Sequence, residues 1–207
     1  MKSKKSIILI LTIIALAAFG LILWRGFLFY PSDEVPLPPG EAALPEDESP
    51  LLGSVVPIEI GKSETRIVIP AIEVDAKIIE VGITGKGNMA APKGYSDVGW
   101  YKYGTKPGAL GSSVMAGHVD NGLALPAVFY DLEDLQVGDD LYIRNKEGAE
   151  LHFKVTGHTV YPYNAAPKEV FYESGGRFLK LITCVGSRIK EIRTRENRLV
   201  VKAELVE

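Results

Sequence analysis

Three kinds of side chain that together support acyl transfer occur in this chain, far apart in sequence. They are a thiol at Cys184, imidazoles at His118, His152 and His158, and guanidinium groups at Arg188, Arg193, Arg195 and Arg198. A cysteine nucleophile needs an acid–base partner and a group that holds the oxyanion. Cys184 is the sole cysteine among 207 residues and sits in RFLKLITCVG, at the end of an apolar run with strand character. In an exported chain a lone cysteine reads as an intermolecular link or a reactive thiol. The other reading is a small buried hydrophobe. Both stay open on count alone.

Of the histidines, His118 lies in VMAGHVDNG, where a strand gives way to a glycine-flanked loop, a place where functional groups are commonly carried. His152 in ELHFKV and His158 after Gly157 fall inside strand-like runs and read as solvent-facing or satisfied strand residues. Alternation puts Lys180, Ile182 and Cys184 on one face of their strand and Leu179, Leu181 and Thr183 on the other. Lysine is rarely buried, so the Cys184 face is expected to be the outer, accessible one. In NRLVVKAELV the apolar face is Leu199, Val201, Ala203 and Leu205, which leaves Arg198 on the outer face with Val200, Lys202 and Glu204. If the two strands are neighbours, Arg198 and Cys184 open onto one groove. Arg188, Arg193 and Arg195 read as a solvated loop.

The elements that position these groups are mostly strands. RIVIPAIEVDAKIIEVG alternates apolar and polar residues, with Pro70 expected at a bulge or edge. SSVMAGH, DDLYIRN, ELHFKVTGHTVYPY, FLKLITC and NRLVVKAELV are further short runs, separated by turn signals such as TGKGN, TKPGALG and NKEG. Such spacing predicts a sandwich or a barrel. Short helices are expected around PAVFYDLEDL and APKEVFYES. There is no phosphate-cradling glycine loop and no metal-ligand spacing, so no cofactor or metal is expected. Glu133, Asp134, Asp139 and Asp140 read as solvating charges at turns and strand ends.

Ahead of this domain lie two segments of different character. Residues 7 to 24, IILILTIIALAAFGLILW, carry no charge and as a helix would be roughly 27 Å long, close to a bilayer's hydrocarbon thickness. A cleaved signal peptide has a shorter core and a small-residue site, whereas this run ends in WRGFLFY, like an aromatic interfacial belt. Residues 1–30 are therefore expected to be an uncleaved anchor in the cell membrane. Lys2, Lys4 and Lys5 keep the N-terminus cytoplasmic and the rest outside. Residues 31–54 hold six prolines, six acids and no base, the composition of a solvated tether. Residues 1–30 contribute +4 and residues 31–54 contribute −6, so of the total −3 the domain at 55–207 carries −1. That balance argues against nucleic acid as a partner.

AGHVD, then LITC sixty-odd residues later, then an arginine opening the last strand as NRLVV, resembles the sortases, with supporting stretches at IPAIEVDAKI, MAAP, PGALGSSVMAGHVD and PAVFYDLEDLQVGD. GHVD followed by PAVFYDL, with TCxG at the cysteine, is most similar to class F. The resemblance covers about residues 64–207 and implies an all-β, closed barrel of about eight strands with short helices, behind an N-terminal transmembrane helix. It also implies a membrane-anchored cysteine transpeptidase of Gram-positive bacteria. In that reading Cys184 is the nucleophile, His118 the general acid–base and Arg198 the oxyanion or substrate clamp, with Arg195 as runner-up. Thr183 and Asp120 fall at substrate-groove positions.

The implied substrates are a secreted protein bearing an LPXTG-like signal and a cell-wall precursor amine. The alternatives are a pilin-polymerising sortase, a hydrolytic cysteine peptidase and a catalytically silent tethered binding module. The basic segment GSRIKEIRTRE departs from the family pattern and borders the expected groove. A thiolate at neutral pH would need the Cys184 pKa lowered from about 8.5, which a neighbouring cation can do.

Overall fold

A computed structural model describes residues 55–165 and 167–206. The expected anchor and tether lie outside them. Among the described residues no helix is long and apolar enough to cross a membrane. Eight strands run β1 (Thr65–Ile69), β2 (Val74–Val81), β3 (Val98–Tyr101), β4 (Gly111–Ala116), β5 (Asp140–Asn145), β6 (Glu150–Pro162), β7 (Arg177–Ile189) and β8 (Thr194–Leu205). They close into a barrel in the order β1-β2-β3-β4-β7-β8-β6-β5, sealed by β1 against β5. The β2–β3 and β4–β7 pairs are parallel and the others antiparallel. Closure removes the exposed strand edges that an open sheet would leave.

The alternation fills the barrel. Leu179, Leu181, Val201 and Ala203 are fully buried, and they meet Ile67, Ile69, Met115, Leu141, Ile143 and Phe153 in one core. Each large apolar side chain buried there contributes roughly 1.5–3 kcal/mol. The run expected as one strand through Pro70 is two. Pro70, which has no N–H to give to a ladder, opens a 3-10 turn, and Glu73 at φ 53° reverses the chain into β2. The helix expected in PAVFYDLEDL is only a 3-10 turn at Leu132–Asp134. In APKEVFYES a single helical turn, α1 (Lys168–Phe171), forms as expected. The four residues of β3 were not anticipated as a strand.

A second, smaller apolar cluster lies outside the barrel wall. Val114 of β4, Val200 of β8 and Val170 of α1 are its buried members, flanked by Met89, Tyr101, Tyr161, Phe171 and Ile182. The α1 segment therefore covers the outer face of β4, β7 and β8. This corrects the expectation for Lys180, which is only 4 % exposed. Its ammonium donates to the Glu169 carbonyl at 2.5 Å and pairs with Glu173 at 2.6 Å, and Glu173 also holds Lys202 at 2.5 Å. Burial of an ammonium is tolerable because it is paired and hydrogen-bonded.

Candidate active site

The parallel β4–β7 pair sets the site. Ala116 lies opposite Ile182, and the Gly117 amide donates to the Ile182 carbonyl at 3.0 Å. Two residues on from that pair, in the common strand direction, come His118 and Cys184. Thr183 fixes this junction: its buried hydroxyl donates to the Gly117 carbonyl at 3.0 Å. Glycine is required at 117 because a Cβ there would stand 2.4 Å from the Phe129 ring. The Phe129 amide in turn donates to the His118 carbonyl at 2.9 Å, which clamps the loop behind the histidine.

Across the β7–β8 hairpin, Cys184 and Arg198 are direct register partners. Cys184, His118 and Arg198 line one open cleft of about 440 Å³, together with Asp120, Thr183, Arg188, Arg193 and Arg195. The residues singled out from sequence thus share one cavity. His152 stands apart on β6, bonded to Asp140 at 2.6 Å and stacked on Tyr142, and His158 is an exposed strand residue. Asp140 also holds Lys154, and Asp139 accepts from the Gln136 amide, so these acids are turn and strand-end partners.

Local contacts define what each group can do. His118 Nε2 lies 2.8 Å from the Pro92 carbonyl. A carbonyl only accepts, so Nε2 carries the proton and Nδ1 is left to exchange one. The Tyr95 ring, 5.0 Å centroid to centroid, packs against the imidazole. Neither Pro92 nor Tyr95 was singled out beforehand; the quoted MAAP stretch ends at Pro92 and stops short of Tyr95. Arg195 donates to Asp120 at 2.5 Å and to the Gly186 carbonyl at 2.8 Å. Arg198 donates to the carbonyls of Arg195 and Asn197 and to the Thr194 hydroxyl, but meets no carboxylate among the described residues. Arg195 is thus charge-compensated where Arg198 is not. Thr183 and Asp120 border the cleft with their polar atoms engaged by the protein itself.

The family model described as "Sortase domain" matches residues 67–206. The chain belongs to the sortase family. It is therefore an enzyme of the cysteine transpeptidase class. Among solved structures this sortase is similar to sortase C-1 from Actinomyces oris, at 26% identity and TM-score 0.54 over 69% of this chain and 73% of that one. It is also similar to sortase C2 of Group B Streptococcus Pilus Island 1, at 26% identity and TM-score 0.56 over 72% and 77%. A lid mutant of sortase A from Corynebacterium diphtheriae shares the fold at 23% identity and TM-score 0.54 over 70% of each chain. No curated protein matches the sequence.

The thiol of this sortase departs from expectation. Burial pushes the Cys184 pKa up, and Arg198 and then Arg195 pull it back only in part while Asp120 adds to the rise. The net direction is upward, because the desolvation of a half-buried thiol outweighs cations that are themselves partly hydrated. The surroundings of Cys184 thus disfavour its thiolate.

A second cavity of about 880 Å³ adjoins the first and shares Met89, Ile182 and Arg198 with it. Its walls are Tyr101, Tyr161, Val170 and Phe171 over a floor of Ile182 and Val200. The two cavities meet beside the nucleophile strand.

Proposed function

We propose that this sortase is a membrane-tethered, class F-like transpeptidase that cleaves an LPXTG-like sorting signal and passes the new acyl group to a cell-wall precursor amine. The observation that carries this reading is the convergence of Cys184, His118 and Arg198 on one cleft that continues into an apolar groove. The groove's tyrosines and valines suit the leucine and proline of such a signal, leaving its threonine carbonyl beside the thiol.

In the first half-reaction the Cys184 sulfur attacks that carbonyl while His118 Nδ1 takes the thiol proton. Because burial disfavours the thiolate, this transfer accompanies attack rather than preceding it. Arg198 holds the oxyanion with a guanidinium not committed to a carboxylate. Collapse breaks the C–N bond, the leaving glycine amine takes the proton from His118, and a thioester remains. In the second half an incoming amine attacks the thioester. Its proton passes through His118 to the departing sulfur.

The apolar segment at residues 7–24 would hold the barrel near the outer membrane face, and the acidic, proline-rich tether would give it reach. A pilin-polymerising role is the second reading, motivated by the 26% identity to two sortases C.

The test uses the full chain in neutral detergent with an LPXTG-type peptide and excess amine, followed by mass spectrometry, with Cys184→Ala alongside. An amine-ligated product that is absent from the variant is expected. Ligation to a pilin-type lysine peptide in preference to small amines would favour the second reading. Hydrolysis alone would point to a peptidase, and no cleavage of any sorting peptide would sink the transpeptidase assignment.

A further inference from the structure

A transpeptidase needs room for two substrates at one thioester, and the two cavities that meet at Arg198 and Ile182 differ in lining. One is walled largely by aromatic and aliphatic side chains, with Lys86, Lys168 and Arg198 among them. The other carries Arg188, Arg193, Arg195 and Arg198 against a single carboxylate, Asp120. Its formal charge is therefore +3, on a domain whose total is −1.

Of the three arginines expected in a solvated loop, Arg193 lies in an exposed turn, whereas Arg188 and Arg195 are on strands. β7 continues past Cys184 through a bulge at Gly186, φ 80°, to Ile189, and β8 starts at Thr194. Arg188 and Arg195 are direct cross-strand partners. Like charges in that position repel, and both turn to the same acid: Asp120 lies 2.5 Å from Arg195 and 3.5 Å from Arg188. One carboxylate, itself only 10% exposed, cannot offset the whole group. Arg193, at φ 52° in the hairpin turn, has no ion-pair or hydrogen-bond partner for its side chain among the described residues, yet lines the cleft. Glu196 of the same hairpin accepts from the Ser187 amide and is not part of the cleft wall.

We propose that this cleft is the acceptor side of the enzyme and that it takes an amine whose carrier bears an anionic oxygen group, a carboxylate or a phosphate, on Arg188 and Arg193. The inference rests on the transpeptidase reading above. In the step it serves, the amine nitrogen bonds to the thioester carbonyl carbon and the C–S bond breaks. The amine's proton returns to sulfur. Guanidinium groups suit the anion because they give paired, charge-assisted hydrogen bonds to carboxylate or phosphate oxygens.

The experiment forms the thioester with a sorting peptide on the full chain in neutral detergent, then offers acceptors in competing pairs. Triglycine against triglycinamide differs at the far end by one carboxylate charge, and 2-aminoethyl phosphate against ethanolamine differs by a phosphate. The charged member is expected to be favoured about five-fold or more at low salt, and the preference to weaken as salt screens the cleft. In the double variant Arg188→Gln, Arg193→Gln it should collapse toward parity. Preference in the first pair alone identifies a carboxylate, and in the second alone a phosphate. Equal use within both pairs overturns the proposal.

If no thioester forms with any peptide, the transpeptidase reading fails separately. The cleft is then probed by alkylating Cys184 with iodoacetate and with iodoacetamide, whose rate ratio reports anion attraction alone. A ratio that falls several-fold in the double variant supports an anion-binding cleft, and an unchanged ratio rejects it.

Discussion

At the scale of single residues, the surroundings of Cys184 disfavour its thiolate. Burial raises its pKa, Arg198 and Arg195 oppose that, and Asp120 reinforces it. Iodoacetamide alkylation of Cys184 should therefore rise with pH through an inflection above the roughly 8.5 of a free thiol. Asp120→Asn removes a charge that disfavours the thiolate, so its inflection moves down and its neutral-pH rate goes up. Arg198→Gln does the opposite. An inflection near neutrality in the parent protein would refute this ordering. In the role proposed for it, Arg198→Gln should also lower kcat by about 10²-fold, the usual cost of losing one oxyanion donor, as read from initial rates on a sorting peptide. Arg195→Gln acts instead through Asp120 and the Gly186 carbonyl. Much of this constellation was legible from sequence, because a thiol, an imidazole after a strand and an outer-face arginine are recognisable by type and parity. The Asp120–Arg195 pair was not, since it joins residues brought together only by barrel closure. The direction of the Cys184 shift was equally hidden, because burial is a property of the fold.

At the scale of elements, the α1 segment is pinned by charge as well as by apolar contact. Lys180 holds the Glu169 carbonyl and the Glu173 carboxylate, so it fixes both ends of the turn that carries Val170 and Phe171 into the apolar groove. Glu173→Gln leaves Lys180 buried without its counter-charge and should cost about 3–5 kcal/mol in urea unfolding. Lys180→Met leaves Glu173 still paired with Lys202 and should cost less, about 1–3 kcal/mol. The reverse order would reject this account. Burial pushes the Glu173 carboxyl up, but hydrogen bonds from Lys180 and Lys202 outweigh it and hold it below its ordinary value. A depressed carboxyl stabilises the fold above its unfolded pKa of about 4.3 and loses that contribution as pH falls through the lower folded value. The stability gap between the parent protein and Glu173→Gln should thus narrow in acid, below about pH 4.3. Strand alternation predicted the inward faces of β7 and β8 correctly. It could not foresee that the segment between β6 and β7 folds back over the outer face, which is why Lys180 was expected near solvent.

At the scale of the whole molecule, the barrel order joins distant parts of the chain. β4 and β7 are spatial neighbours although β5 and β6 lie between them in sequence, and the closing contact is between β1 and β5. Non-local pairings of this kind fold slowly, on the order of milliseconds to seconds. The parallel β4–β7 seam has a consequence for the enzyme's life history. His118 and Cys184 come together only when the parallel β4–β7 seam forms, so the unfolded chain carries an ordinary, unpartnered thiol. Chemical competence then arrives with the last stage of assembly. In a refolding experiment, peptide cleavage should appear no earlier than the final Trp100 fluorescence phase. Activity appearing ahead of that phase would mean that the seam closes early.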